Sequence, residues 1–432
     1  MTRILSSLDF GVIRFRYLIL FTFLLTLGYV VFSPFTISVD GFSYLKSSEV
    51  LFSEDFATYY TWIREPGYPL FVRFFEDIGG LLLVFLVQGL FVCFGILASA
   101  WATYKLLNIT TVSWRLFVSS GLAVVLVAGY ASTILQQATL IALFGLLMVV
   151  IARVVTKQEI DWLSALLVFS LLLLSTLTAV FLGLAFGLAL FATLVFSGVL
   201  KPKLLLTYSV LASLGFILVM IPWLQIKSAN APEGAPDSLA IGAGTATQIA
   251  ANLDPEKEVY EFIQTQAALL NLGGEFPPSS GLGIANENRI FGSPAYSPDH
   301  SCGRFLTGVE PDSLWGPIET SYRERCVPLQ TLSVISIVNR LSHAFYPITG
   351  LALLLSFLIS LRFVPNLRPV VLPAFLVLSP YLFLDASISR YGALIIPLGC
   401  ILALELIQPR RFFTDHEPKP KPEFSVNSCP DG

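Results

Sequence analysis

Charge is what this chain has least of. Only 13% of its 432 residues are Asp, Glu, Lys or Arg, about half of the share that a soluble domain carries. Histidine and methionine occur three times each, and the five cysteines form no Cys-x-x-Cys pair of the kind that binds zinc. The net charge of −3 offers no basic surface for nucleic acid. These shortages argue against a soluble zinc protein or a nucleic-acid-binding protein.

Apolar residues are abundant instead, at 55% of the chain, with 35 phenylalanines and a mean hydropathy of +0.75. A segment inside lipid must satisfy its backbone hydrogen bonds internally, so long apolar runs predict transmembrane helices. We therefore predict an all-α polytopic membrane protein with about ten spans. The predicted spans are residues 17–33, 79–104, 116–134, 135–152, 162–178, 180–199, 204–224, 345–361, 369–385 and 389–407.

The charges between these spans alternate. One set of short connections is basic and contains Lys105, Arg115, Arg153, Lys157, Lys201, Lys203, Arg362, Arg368, Arg410 and Arg411. The other set consists of an acidic loop at 34–78, a long loop at 225–340, and turns without charge. Because basic connections stay in the cytoplasm, both termini are predicted to be cytoplasmic, and both large loops extracytoplasmic.

This layout divides the chain into four predicted regions. Residues 1–224 form a seven-helix transmembrane module that includes the 34–78 loop, and residues 225–344 form an extracytoplasmic loop domain. Residues 345–408 supply the C-terminal transmembrane helices, and residues 409–432 form a disordered cytoplasmic tail rich in Pro, Lys and Glu. Cys302 and Cys326 share the loop domain, which permits a disulfide in an oxidising compartment.

The 34–78 loop concentrates polar and aromatic residues beside the bilayer. Asp40 and Tyr44 are one helical turn apart, and Tyr44 opens a short amphipathic stretch that predicts an interfacial helix. Further on, Pro66 and Pro69 predict an extended or turned segment. Arg64, just before it, offers a planar fork that suits a phosphate.

Two segments of this loop, Asp40-Gly-Phe-Ser-Tyr44 and Arg64-Glu-Pro-Gly-Tyr-Pro-Leu-Phe71, resemble a known pattern. They are similar to the first outer loop of GT-C superfamily glycosyltransferases, in the bacterial branch that uses polyprenyl-phosphate sugars. Ser389-Arg390-Tyr391 with Pro397 resembles the Arg-Tyr…Pro segment of a late span in that family. The resemblance is good over the first 80 residues and loose over the last 50. In the middle of the chain only the predicted topology is similar.

The resemblance implies a multi-pass protein of the bacterial plasma membrane. It would move a sugar from a polyprenyl-phosphate donor to an extracytoplasmic glycan, lipid or protein acceptor, with Asp40 as the base. The candidate donor-binding and phosphate-binding residues are Arg64, Arg390, Tyr44, Tyr68, Lys46, Arg340 and His343. Glu65 stands where the family usually has proline, which makes it a candidate second acid.

A metal site has little support in these residues. The family commonly places two acids before the tyrosine, whereas Asp40 is followed by Gly41. Many members also carry an acid in the second outer turn, but residues 129–133 contain none. We therefore expect no cofactor; a divalent metal is compatible with the site but not favoured.

Three other interpretations remain open at the level of sequence. A transporter of lipid-linked saccharides also has many spans, but its spans usually carry charged midplane sites and internal repeats. An O-antigen-type polymerase or ligase shares the large outer loop, and a non-catalytic scaffold would need no intact motif. An enzyme requires Asp40, Arg64 and Arg390 to converge on one cavity, whereas a transporter requires a polar path across the bilayer.

Overall fold

The computed structural model describes part of the chain. The described residues are 15–32, 44–45, 47–48, 51, 65–109, 114–132, 134, 136–198, 202–229, 302–303, 327–328, 348, 350–360, 367–378 and 392–405. These residues are helical throughout, apart from connecting turns and one pair of two-residue strands.

Apolar helices account for nearly all of the described residues. They are α1 (Phe15–Phe32), α2 (Gly67–Leu106), α3 (Trp114–Val127), α4 (Gln137–Lys157), α5 (Trp162–Thr178), α6 (Val180–Phe196), α7 (Pro202–Ala229), α8 (Gly350–Ser360), α9 (Arg368–Leu378) and α10 (Ile396–Glu405). Short 3₁₀ helices follow α3 (Ala128–Ser132) and precede α10 (Ala393–Ile395). Four stretches are long and apolar enough to cross a membrane: α2, α3 with its 3₁₀ extension, α4 and the central part of α7.

The first half of α2 differs from the sequence prediction. The helix begins at Gly67, well before residue 79, and both Pro66 and Pro69 have helical surroundings rather than an extended backbone. Proline is compatible with the first turn of a helix, where its missing N–H has no intrahelical partner. The prediction of an extended or turned segment was therefore wrong at Pro69, which lies within the helix.

Two consecutive glycines interrupt α2. Gly79 (φ −150°) and Gly80 (φ 67°, ψ −176°) leave helical geometry, and the conformation of Gly80 is one that only glycine adopts readily. The break separates a first arm, residues 67–78, from a second arm, residues 81–106.

The two arms fold back on each other as a hairpin. The rings of Phe71 and Phe91 lie 5.2 Å apart, and the Tyr68 hydroxyl reaches the side chain of Gln88. Each of these pairs is twenty residues apart, which corresponds to about 30 Å along an unbroken helix. Contact at both places requires the chain to fold back at the glycine break.

Close backbone packing joins the second arm of α2 to α4. A Cβ on Gly95 would lie 2.5 Å from the carbonyl oxygen of Ile141, and one on Gly145 would lie 2.8 Å from the Cα of Gly95. Small residues allow such approaches between helices in membrane proteins. This contact lies at the centre of the apolar core of the bundle.

Polar contacts connect the helices at the end of the bundle where α2 and α4 terminate. The Tyr104 hydroxyl donates to the buried Glu405 carboxylate at 2.8 Å. Between α4 and α5, Asp161 pairs with Arg153 at 2.6 Å and with Lys157 at 2.5 Å, and it caps α5. The hydrogen bond from Lys157, then those from Ser164 and Arg153, hold the pKa of Asp161 well below its usual range.

A two-residue antiparallel strand pair is described in the region predicted to be the loop domain. Strand β1, Cys302–Gly303, pairs with β2, Val327–Pro328, so that Cys302 lies opposite Pro328. Cys326 lies outside the described residues. The predicted disulfide between these two cysteines therefore stays a prediction.

Candidate functional site

The structure describes only some of the predicted site residues. Tyr44, Glu65 and Tyr68 are described, together with the backbone of Cys302. The remaining candidates lie outside the described residues: Asp40, Lys46, Arg64, Arg340, His343 and Arg390. The described residues therefore show the surroundings of the candidate site and three of its predicted side chains.

Tyr44 and Tyr68 bring the two motif segments into contact. Their ring centroids are 4.7 Å apart in an edge-to-face arrangement at 79°, and both side chains are buried. Tyr44 belongs to a short helical stretch that also contains the buried Leu45 and Ser48. The structure thus joins segments that are more than twenty residues apart in sequence.

The start of the hairpin packs against the turn between α5 and α6. A Cβ on Gly67 would lie 2.7 Å from the carbonyl carbon and oxygen of Leu177, and 2.9 Å from the amide nitrogen of Thr178. Glycine is needed here because the two backbones touch. Gly67 therefore permits the close approach of this segment to the end of α5.

Gln88 connects Tyr68 to the 3₁₀ helix that follows α3. Its Oε1 accepts the Tyr68 hydroxyl hydrogen bond at 2.5 Å. Its Nε2 donates to the carbonyl oxygens of Ala131 at 3.1 Å and Tyr130 at 3.4 Å. The side chain of Gln88 has no exposed surface.

These contacts define one site, which we call the Tyr68 junction. It consists of Tyr44, Gly67, Tyr68, Gln88, Tyr130, Ala131, Leu177 and Thr178. The junction brings together three connections of the chain that the charge pattern assigns to the extracytoplasmic side. The sequence analysis identified Tyr44 and Tyr68 but missed Gln88. The one feature of the sequence that could have indicated Gln88 is that it is a lone amide in a long apolar run.

Glu65 lies at the edge of the junction, two residues before α2 begins, and its side chain is half-buried. The positive end of the dipole of the first arm lies beside it, a location that favours negative charge. The same local field favours a phosphate brought to this place.

An apolar groove opens beside the junction, between α5, α6 and α7. Its volume is about 420 Å³, and its lining includes Thr176, Gly187, Phe191 and Tyr208. The Tyr208 hydroxyl donates to the Gly187 carbonyl oxygen, which leaves the lining largely apolar. Thr176, at one end of the groove, adjoins Leu177, whose backbone touches Gly67.

No group of three or more His, Cys, Asp or Glu side chains is gathered anywhere in the described ranges. The fold and the Tyr68 junction define an all-helical bundle that is compatible with a membrane protein. No protein-family model matches the chain, and no curated protein matches it either.

Proposed function

We propose that this protein is a membrane glycosyltransferase with ten spans and both termini in the cytoplasm. It transfers a sugar from a polyprenyl-phosphate donor to an extracytoplasmic acceptor, with inversion at the anomeric carbon. The observation that carries the proposal is the contact between Tyr44 and Tyr68. It joins the two segments that contain the proposed catalytic groups, and these groups can act on one substrate only when the segments lie close together.

Chain connectivity links this contact to the proposed catalytic groups. Asp40 is four residues from Tyr44, and Arg64 is four residues from Tyr68. Four residues span at most about 14 Å of extended chain. A carboxylate and a guanidinium are therefore both tethered to the same buried pair of rings.

The proposed reaction needs one base and several cations. Asp40 takes the proton from the acceptor hydroxyl as its oxygen attacks the anomeric carbon. The bond from that carbon to the phosphate oxygen breaks, and its electron pair leaves with the phosphate. Arg64 and Arg390 would stabilise the departing charge, so the reaction requires no general acid.

The groove between α5, α6 and α7 suits the isoprenoid tail of such a donor. It is apolar, and it is lined by residues of three helices that carry other large apolar side chains on exposed surfaces. Its end at Thr176 is next to the junction, so a tail in the groove would bring its phosphate towards the tyrosine pair.

The arrangement of charge supports the proposed orientation. Lys105, Arg153 and Lys157 lie at one end of α2 and α4, and the Tyr68 junction lies towards the other end. Basic residues favour the cytoplasmic side. The junction would then face the compartment in which polyprenyl-phosphate sugars are used by extracytoplasmic transferases.

The test is sugar transfer by the purified chain in lipid vesicles, with a panel of labelled polyprenyl-phosphate sugars and cell-envelope acceptors. Asp40→Asn is expected to lower turnover at least about 100-fold, because it removes the base. Asp77→Asn is the matched control: it removes an exposed carboxylate of the same predicted loop, which pairs with nearby Arg73. Full activity in Asp40→Asn would contradict the assigned role.

A further inference from the structure

Gln88 is an unusual residue for its position. It lies in the second arm of α2 with no exposed surface, among apolar neighbours such as Phe85 and Val92. A buried amide without partners destabilises a fold by a few kilocalories per mole. Here the amide is bonded at both of its ends, to Tyr68 and to Ala131.

These bonds connect three separate parts of the chain. The Ala131 and Tyr130 carbonyls belong to a 3₁₀ helix at the end of α3, where carbonyl groups lack intrahelical partners. The Tyr68 hydroxyl belongs to the first arm of α2. Gln88 therefore determines where Tyr68 lies relative to the rest of the bundle.

Tyr68 in turn determines where Tyr44 lies. The Tyr68 ring is held by its hydroxyl bond, by edge contact with Tyr44, and by stacking on Phe71 at 5.7 Å. Tyr44 is buried, and its ring is in edge-to-face contact with the Tyr68 ring. A change at Gln88 is thus transmitted through one ring to the next.

We infer that Gln88 is a positioning residue, which acts through Tyr68 to fix the loop segments that carry Asp40 and Arg64. This inference rests on the proposed function. A displacement of about 1 Å at a reacting group can lower a rate on the order of 100-fold. Loss of the Gln88 bond therefore lowers turnover, while the donor tail still binds in its groove.

Two single variants and their combination test this. Gln88→Met keeps the approximate shape of the side chain and removes its hydrogen bonds to Tyr68, Tyr130 and Ala131, and Tyr68→Phe removes only the hydroxyl. Thr103→Val is the matched control, because Thr103 is buried in the same arm and its hydroxyl donates within its own helix, to the Ser99 carbonyl. Tyr68→Phe also keeps the inference testable if Gln88→Met fails to fold.

Each single variant is expected to lower kcat by about 10-fold or more, with the donor KM changed by less than about twofold. The double variant should be no slower than the slower single variant, because both changes remove the same connection. Thr103→Val should keep the wild-type kcat. Loss of kcat that is additive in the double variant, or equal in Thr103→Val, would overturn the inference.

Hydrogen exchange provides a readout that does not depend on activity. Peptides containing Tyr44 and Tyr68 should exchange faster in Gln88→Met than in wild type or Thr103→Val. Unchanged exchange would overturn the positioning role even if kcat falls. If the wild-type chain transfers no sugar, the proposed function fails, and the exchange result still decides whether Gln88 holds this loop.

Discussion

Gln88 and Glu405 join parts of the chain that are distant in sequence. Gln88 bonds Tyr68 and the end of α3, and Glu405 accepts from Tyr104 across the opposite end of the bundle. Both are buried. In an apolar environment, each of these bonds specifies one arrangement of helices, because breaking it leaves a polar group without water.

The sequence could predict the tyrosines of the junction but not its amide. Tyr44 and Tyr68 belong to a pattern with recognisable order and spacing. Gln88 stands alone in an apolar run, and two of its partners are backbone carbonyls, which carry no residue-specific signal. Its importance follows only from the three-dimensional contacts.

Gly67→Ala tests the packing of the junction at the residue scale. The added Cβ would lie 2.7 Å from the Leu177 carbonyl group, so the first arm must shift away from α5. We expect destabilisation of about 1–3 kcal/mol and a several-fold loss of transfer, measured by thermal unfolding and by the vesicle assay.

Gly28→Ala is the matched control for that substitution. Gly28 lies within α1, and a Cβ there meets no atom within 4 Å. Alanine should be tolerated or slightly stabilising at this position. Equal effects of the two substitutions would contradict a special role for Gly67.

At the scale of the element, the length of the apolar runs predicted the helices well but predicted the interruptions and ends of helices poorly. The bounds predicted for α5, residues 162–178, match Trp162–Thr178, and Asp161 caps the helix just before it. The prediction for α4 ended at 152, but the helix continues through Arg153 to Lys157 and stops at Gln158 in a left-handed conformation. Basic side chains at a helix end reach the interface while the backbone stays helical.

The hairpin in α2 was missed for a related reason. The prediction assigned residues 67–78 to the polar loop, because Arg73, Glu76 and Asp77 interrupt the apolar sequence just before Gly79 and Gly80. Glycine pairs occur both in straight membrane helices and in turns, so the reversal is decided by contacts such as Phe71 with Phe91. Those contacts are not visible in a local pattern.

Gly80→Ala tests the hairpin as an element. Its backbone has φ 67° and ψ −176°, a region that costs other residues about 1–3 kcal/mol. We expect faster hydrogen exchange across both arms and lower thermal stability. Gly350→Ala, at a glycine with a conventional backbone and open space, should leave both unchanged; wild-type exchange in Gly80→Ala would contradict the strained turn.

At the scale of the whole molecule, the proposed function requires the segments of Tyr44 and Tyr68 to lie close to the lipid bilayer. The Tyr68 junction joins connections at one end of the bundle, and the groove of about 420 Å³ starts beside it. Long apolar helices are compatible with a membrane around this arrangement. A lipid-linked donor would then reach the junction sideways from the bilayer.

The sequence predicted an orientation through charge alternation, which acts over the whole chain, and that orientation stays a prediction. It could not predict the groove, because a groove depends on how α5, α6 and α7 pack, and on small residues such as Gly183 and Gly187. The charge pattern also does not predict which acceptor receives the sugar in the proposed reaction.

The most direct measurement is cryo-electron microscopy of the chain in a lipid nanodisc with a polyprenyl-phosphate sugar bound. The account predicts the phosphate beside the Tyr44–Tyr68 pair, within contact of Arg64 and Arg390, with Asp40 facing the anomeric carbon. The tail should lie in the groove between α5, α6 and α7. A phosphate bound at the opposite end of the bundle, near Tyr104 and Glu405, would contradict the central claim.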